Sequence, residues 1–395
     1  MTSIDCIKAK IPLHITIVGA GIAGLAAATA CARAGMKVVV YEAATQLAEV
    51  GAGIQIGPNL SRLLRRWEIL DLLQPQAVPL NALSLRRYDN DNELARVSMT
   101  RVEETHGAPI WIAHRADLQR VLIKGAEDYG ARIQTGSFID DIDFENARIK
   151  IKGCSQWLQS DVVIAADGVK STIRKKLLAL HGQVDQVRET GDAAWRAIVS
   201  AEKIYGTKDP SLIEALENPV GLRWMGPDGH IMGYPIRNHQ LFNLVLLHSD
   251  KTGTEESWTM KGDKKEMMEF YKNWNIRVRN LLDLVPEGEV LEWKLCDHAS
   301  LLTWIEGKVV LIGDAAHPML PYVAQGASQA VEDGAVLAAC LSMIVSTEQI
   351  NIALKGTDTQ KQAIEMWEHL VELVQSGREF ESPFSTKNLP WLKKV

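Results

Sequence analysis

The residues best suited to chemistry lie near the start of the chain. Gly19-Ala20-Gly21-Ile22-Ala23-Gly24 follows the apolar run His14–Val18 and opens a stretch of small residues that stops at Gly35. In a strand, turn and helix of this kind, Gly19 makes the tight turn. Gly21 lets the backbone approach a pyrophosphate, and Gly24 lets the helix close on the sheet. The helix N-terminus adds free N–H groups and the positive end of its dipole. A second apolar run, Lys37–Tyr41, ends on Glu42, 23 positions after Gly19. The pattern expects an acid about 20 residues on, where its carboxylate accepts from ribose hydroxyls. Context and acid together predict a dinucleotide-binding unit.

Composition narrows the alternatives. The chain has 395 residues, 46% of them hydrophobic and 23% charged, which suits a packed globular protein. A formal net charge of -6 disfavours nonspecific nucleic-acid binding. The five cysteines, at 6, 31, 154, 296 and 340, have no metal-ligand spacing and suit a reducing, cytoplasmic setting. No metal site and no membrane-spanning run is expected. The 11 Trp exceed both the 6 Phe and the 7 Tyr. Core packing is the simplest use for them, and pocket lining by Trp195 and Trp224 is the alternative.

Several elements must position the chemistry. Helical periodicity marks Pro58 onward, Ala116 to Tyr129, and 264–284. Short alternating bursts between 192 and 248 (AAWRAIVS, VGLRWM, HIMGYPI, LFNLVLL) predict a separate antiparallel sheet. The run Lys308 to Ile312 reads as another buried strand, followed by GDAAHPMLPYVAQG and a small-residue helix over 327–345. An amphipathic helix is expected over 360–376. No second glycine motif follows a later strand, which argues against a reductase with two dinucleotide domains.

Three ordered motifs resemble one family: GAGIAG with Glu42, AADGVKSTIR at 165–174, and GDAAHPMLPYVAQGASQAVEDG at 313–334. The chain is similar to single-component FAD-dependent aromatic monooxygenases. These include salicylate and para-hydroxybenzoate hydroxylases and, nearest in pattern, fungal enzymes of which many serve secondary metabolism. The resemblance implies an α/β fold: a Rossmann-like FAD-binding domain, an inserted mainly antiparallel β-sheet substrate domain and a C-terminal helix. The expected division is 1–180 and 301–345 for FAD, 181–300 for substrate, and 346–395 for a shortened helical region. Trp367-Glu368 stands where the family has Tyr-Glu, and no arginine follows until Arg378.

The resemblance also implies roles. FAD is the cofactor, with NADPH or NADH as a transient reductant, O2 as co-substrate and an aromatic small molecule as substrate. Asp314, at the end of a strand, is expected at the ribityl hydroxyls. The Gly326-Ala327 turn opens a helix whose amides stabilise a reduced flavin ring. Arg115 is expected to contact the cofactor, and Asp167 to lie near the pyrophosphate. Ala52 and Gly53 provide the close backbone approach in the loop 49–59. His317 is expected to be structural.

Arg196 and Tyr234 match the family's catalytic pair. The family's flavin hydroperoxide is an electrophile that attacks electron-rich ring carbon. Arg196 can hold a phenolate by charge-assisted hydrogen bonds, and Tyr234 can orient the substrate or relay its proton. The alternative for Arg196 is a structural cation–π contact with Trp195, and for Tyr234 a place in the core with its hydroxyl satisfied. His230, four residues before Tyr234, shares its strand face and is a candidate base near neutral pH, the alternative being that it only stabilises the turn in PDGH. A flavin epoxidase or indole oxidase, and a non-catalytic FAD-binding protein, are the competing readings.

Overall fold

A computed structural model describes residues 8–47, 51–250 and 261–356. The expected helix over 360–376, together with Trp367, Glu368 and Arg378, lies outside the described residues.

The first layer is a six-stranded sheet in the order Ile305–Glu306, Val309–Leu311, Val162–Ala165, His14–Val18, Lys37–Tyr41, Arg132–Gln134. Its pairings are parallel apart from the antiparallel edge strand Ile305–Glu306. The central strand His14–Val18 is buried on both faces: Ile15 and Ile17 pack under helices such as Ile22–Arg33, while Val18 packs against the small antiparallel sheet of Ile139–Asp143, Arg148–Ile151 and Trp157–Gln159 and the helix Thr172–Leu180. The helix Ile22–Arg33 returns the chain to Lys37–Tyr41 on one side, while Val162–Ala165 pairs on the other. The order of strands therefore reverses beside the end of His14–Val18, which places a ligand crevice at the glycine turn. The helix Gly326–Met343 packs on Ile22–Arg33 so closely that a Cβ at Gly334 would lie 2.7 Å from Ala27 N. Small residues on both helices permit that approach.

The second layer is a seven-stranded sheet in the order Leu291–His298, Val187–Ser200, Leu241–Ser249, Gly229–Ile236, Val220–Gly226, Ala82–Arg87, Glu93–Ser98. The expected sheet is present, but its expected limits of 181–300 are too narrow. Ala82–Arg87 and Glu93–Ser98 come from the segment assigned to FAD, and Ala82–Arg87 joins Val220–Gly226 in parallel. A parallel partner needs a long crossover, so it comes from a remote part of the chain.

The two faces of this sheet differ. Trp195, Trp224, Ile231, Phe242 and Leu246 form a core with Tyr271 and Trp274 beneath the helices Pro210–Glu217, Lys264–Phe270 and Ile276–Asp283. Trp195 and Trp224 therefore serve packing, and pocket lining by them is overturned. Tyr234 and Ile236 face the opposite way, against Val78, Leu80 and Ile112. That side adjoins a small sheet made of Gly53–Ile56, Trp111–His114 and Val78–Pro79. No helix among the described residues is long and apolar enough to cross a membrane.

Candidate active site

The glycine turn has the geometry that its residue types predict. Gly19 sits at φ +102°, and a Cβ there would lie 2.3 Å from Ala166 O. A Cβ at Gly24 would lie 2.0 Å from Gly19 O. Both positions exclude every other residue. Gly21 differs, since a Cβ there meets nothing within 4 Å. Gly21 also caps Ile22–Arg33 without a side-chain hydrogen bond, so the first-turn amides are left to a ligand. Glu42 reaches across the turn and accepts from Ala20 N at 2.7 Å and Ala44 N at 2.8 Å. Gln119 Nε2 donates to Ala20 O at 2.9 Å and ties the helix Arg115–Asp128 to the same turn. An open cradle at a helix N-terminus with a carboxylate beside it fits a dinucleotide such as FAD.

Asp167 adjoins the glycine turn through its backbone, while its carboxylate is engaged by the next helix. Its Oδ1 accepts from Ser171 Oγ at 2.5 Å. Its Oδ2 accepts from Thr172 N at 2.9 Å and Ile173 N at 3.2 Å. Both oxygens hold the start of the helix Thr172–Leu180, although the backbone of Asp167 adjoins Gly19.

A second group forms where the two layers meet. Strand Val309–Leu311 runs into the 3-10 turn Gly313–Ala315, which carries Asp314. Burial raises the pKa of Asp314, while His317 and Arg115 oppose the rise. Burial likewise lowers the pKa of Arg115, with Asp314 opposing. Arg115 N donates to Ala52 O at 2.9 Å, and the Arg115 side chain packs beside Gly51. Gly326 opens the helix Gly326–Met343, again with no side-chain cap. Asn59 Nδ2 links this helix start to the 53–59 loop by donating to Gln325 Oε1 at 3.1 Å and Glu332 Oε2 at 3.2 Å. Ala327 follows in the first turn of that helix. His317 pairs with a buried carboxylate. Its Nε2 lies 2.6 Å from Asp333 Oδ2, which also accepts from Gly313 N at 2.8 Å.

Arg196 and Tyr234 approach this group from the seven-stranded sheet. A Cβ at Gly53 would lie 2.5 Å from Tyr234 Cε2, so the loop touches the tyrosine ring. Arg196 Cζ sits 4.0 Å from the centre of the Trp293 ring. The expected alternative partner, Trp195, points to the other face and stacks on His248 with ring centres 3.5 Å apart. The cation–π contact is thus real, but a strand's period of two gives it to Trp293. Burial pushes Arg196 down to about 10, with Tyr234 opposing and Arg115 adding to the fall. Arg196 therefore remains a cation at neutral pH. Burial pushes the Tyr234 phenol up to about 12 against the pull of Arg196, so it remains a donor.

His230 does not join them. Its Nε2 lies 3.1 Å from Arg223 Nη2. Burial first, and Arg223 second, push it down to about 4, against Asp192. The expectation of a base near neutral pH is overturned, because a partly buried imidazole beside a guanidinium resists a proton.

Three contributors were not singled out in the sequence. Asn243, fully buried, accepts from Gly53 N at 2.7 Å through Oδ1 and fixes the loop to the sheet. Its signal was a lone amide in LFNLVLL. Trp293 carries Arg196. Arg174, within AADGVKSTIR, donates to Asp185 Oδ2 at 2.6 Å and to Asp314 O at 3.0 Å. It holds the Asp314 turn in place from behind.

Residues 13–363 match the FAD-binding domain family over most of the chain. The chain belongs to that family. Its cofactor is FAD, and its activity is that of an FAD-dependent monooxygenase. OpS4 of Beauveria bassiana, an FAD-dependent monooxygenase, is 38% identical over 343 residues, covering 86% of this chain and 79% of that protein. The monooxygenase atnJ of Arthrinium sp is 35% identical over 352 residues, covering 89% and 81%. A solved salicylate hydroxylase–substrate complex superposes with a TM-score of 0.72 at 26% identity, covering 91% of this chain and 90% of that one.

Proposed function

We propose that this monooxygenase uses NADH or NADPH and O2 to hydroxylate a phenolic small molecule. The observation that carries the reading is the cation Arg196, seated on Trp293 near Tyr234, whose ring in turn presses on Gly53. Likeness to a salicylate hydroxylase supports the same class of substrate.

Bound FAD, once reduced, supplies activated oxygen for electrophilic transfer. The chain's own residues prepare the acceptor. Arg196 stabilises negative charge on a substrate oxygen, which lowers its pKa and enriches the ring in electrons. Tyr234 donates its hydroxyl proton in a hydrogen bond that orients that oxygen. Asn243 holds Gly53 N, so the loop cannot drift from the tyrosine ring. Ala52, Arg115, Asp314, Gly326 and Ala327 form the opposing wall, where the FAD ring and ribityl chain would sit. Glu42 would take the ribose, and Gly19, Gly21 and Gly24 the pyrophosphate. Asp167 would act through the fold of the Ala166 turn. Cys31, Cys154 and Cys340 are free thiols, which suits a reducing compartment such as the cytoplasm.

The test is nicotinamide oxidation by the FAD-loaded enzyme across phenols, phenolic acids and indoles, with mass spectrometry of products. Phenol-stimulated oxidation and a product heavier by one oxygen atom are expected. Arg196→Ala is expected to keep FAD and lose product formation by more than ~10-fold, the lower range for a lost positioning group. A protein that oxidises no aromatic, or an Arg196→Ala variant with full turnover, refutes the reading.

A further inference from the structure

A second tie joins the two layers, away from the Gly53 loop. The strand Gly229–Ile236, which carries Tyr234, turns back into Leu241–Ser249 through residues 237–240. Gln240 N donates to Arg237 O at 3.1 Å and closes the turn. Asn238 and His239, between them, take positive φ of 48° and 64°, as tight hairpin turns favour. Arg237 stands outside that pair and still takes φ 48°. A long side chain in the left-handed region is strained, and such strain persists only where the surroundings impose it.

The Arg237 side chain shows what imposes it. Its Nε donates to Asp117 Oδ2 at 3.2 Å and its Nη2 to Asp117 Oδ1 at 3.3 Å. This is the two-pronged grip of a guanidinium on a carboxylate. Asp117 is 2% exposed and lies in the first turn of the helix Arg115–Asp128, on the cofactor side. Arg120 also donates to Asp117 Oδ1 at 2.8 Å, but from the same helix, so it joins nothing across the layers. His239 Nδ1 donates to Leu216 O at 2.6 Å and Asn238 N to Gln76 O at 3.2 Å, which fix the rest of the turn.

The grip closes a circuit around the reacting groups. Asp117 lies two residues beyond Arg115, whose N donates to Ala52 O. Gly53, next in the chain, presses on Tyr234 and donates to Asn243, the partner of Tyr234 on the neighbouring strand. Tyr234 lies three residues before Arg237. The apolar cluster of Tyr234 and Ile236 with Val78, Leu80 and Ile112 is non-directional and permits sliding. The ion pair, with its fixed fork, opposes a tilt of the sheet about the loop.

We propose that Arg237 and Asp117 are positioning residues for oxygen transfer, their ion pair acting as the strut that holds Tyr234 in register with Arg115 and the Ala52–Gly53 loop. The inference goes beyond the hydroxylation proposed above and rests on it. Both residues act through the angle between sheet and helix, and the strain at Arg237 is offset by the grip that sets this angle.

The test uses the FAD-loaded enzyme and the phenol from the panel above that gives the native enzyme most product. Product formed per nicotinamide oxidised is measured beside unfolding temperature and FAD content. Arg237→Gly accepts the left-handed φ without strain and removes the grip, while Asp117 keeps Arg120. It is expected to retain FAD and unfolding temperature and to lower product-forming turnover about 10-fold, part of the ~100-fold that a misplacement of about 1 Å costs. Product per nicotinamide should fall with it, since oxygen activated without an aligned acceptor is lost. A purely structural turn would do the reverse, lowering stability and leaving the yield per bound FAD unchanged. Arg237→Lys keeps the charge and loses the fork, so it should fall between. Asp117→Asn should lower the yield as well, and combined with Arg237→Gly it should add little, because the two act as one unit. Native yield in Arg237→Gly at full FAD content, losses that multiply in the double variant, or a yield that tracks FAD loss alone overturns the proposal. Should Arg237→Gly fail to fold, native yield in Arg237→Lys overturns it, and a lowered yield at native unfolding temperature supports it. A native enzyme that oxidises no aromatic sinks hydroxylation and this inference with it. Native hydroxylation with unaffected variants sinks this inference alone.

Discussion

Gly53 offers the sharpest test of how the two layers meet. A methyl group there would lie 2.5 Å from Tyr234 Cε2, 2.7 Å from Asn243 Cγ and 2.8 Å from the Tyr234 hydroxyl. Carbon atoms normally approach to about 3.5–4.0 Å, so Gly53→Ala demands a shift of about 1 Å. Tyr234 and Asn243 are buried on the sheet and cannot swing into solvent. The loop must therefore retreat, and it takes with it the bond from Gly53 N to Asn243 Oδ1. Overpacking of this kind costs about 1–3 kcal/mol. The larger effect should be on rate, since a 1 Å misplacement near reacting groups costs about 100-fold. Gly53 is not in the left-handed region, so backbone strain adds nothing and the effect isolates the side-chain clash. Thermal unfolding and turnover at saturating FAD measure the two parts. Stability of the double variant with Tyr234→Ala provides a control, because removing the ring should recover more than about 0.5 kcal/mol of the Gly53→Ala penalty. Native turnover in Gly53→Ala, or strict additivity in the double variant, would refute the contact.

Three further outcomes are expected. Arg174→Met removes the stronger partner of Asp185, leaving it to His298 alone, and should cost about 1.5–3 kcal/mol in denaturant unfolding; a loss below about 0.5 kcal/mol would make the clamp irrelevant. His230 is pushed from 6.5 to about 4, so its contribution to stability is present above pH 6.5 and is lost as pH falls toward 4. In that window the unfolded chain binds a proton that the folded one refuses. Unfolding temperatures measured against pH should therefore fall less steeply for His230→Gln, and parallel curves would contradict this. Asp314→Asn removes the carboxylate that faces Arg115 and should weaken FAD retention after gel filtration; full flavin content would count against its place in the cofactor site.

Much of the cofactor half was legible because its signals are contiguous. A buried strand, a glycine turn and a small-residue helix occupy adjacent residues, so their geometry follows from local backbone sterics. Arg196 and Tyr234 came from motif resemblance, and their charge states came from packing. His230 was misjudged because strand periodicity reports a shared face and says nothing about the neighbours there. Asn243 was passed over because its partner, Gly53, lies 190 residues away.

The sequence by itself determined the dinucleotide turn, the alternation that makes a sheet, and the types of side chain available for chemistry. Each depends on residues within a few positions of one another. Tertiary structure alone decided that Ala82–Arg87 and Glu93–Ser98 belong to the second sheet, and that Trp293 rather than Trp195 supports Arg196. It also decided that Gly53 is pressed against Tyr234 and that Arg237 grips Asp117. Strand partners, burial and desolvation are sums over segments distant in the chain, and those sums exist only once the chain has folded.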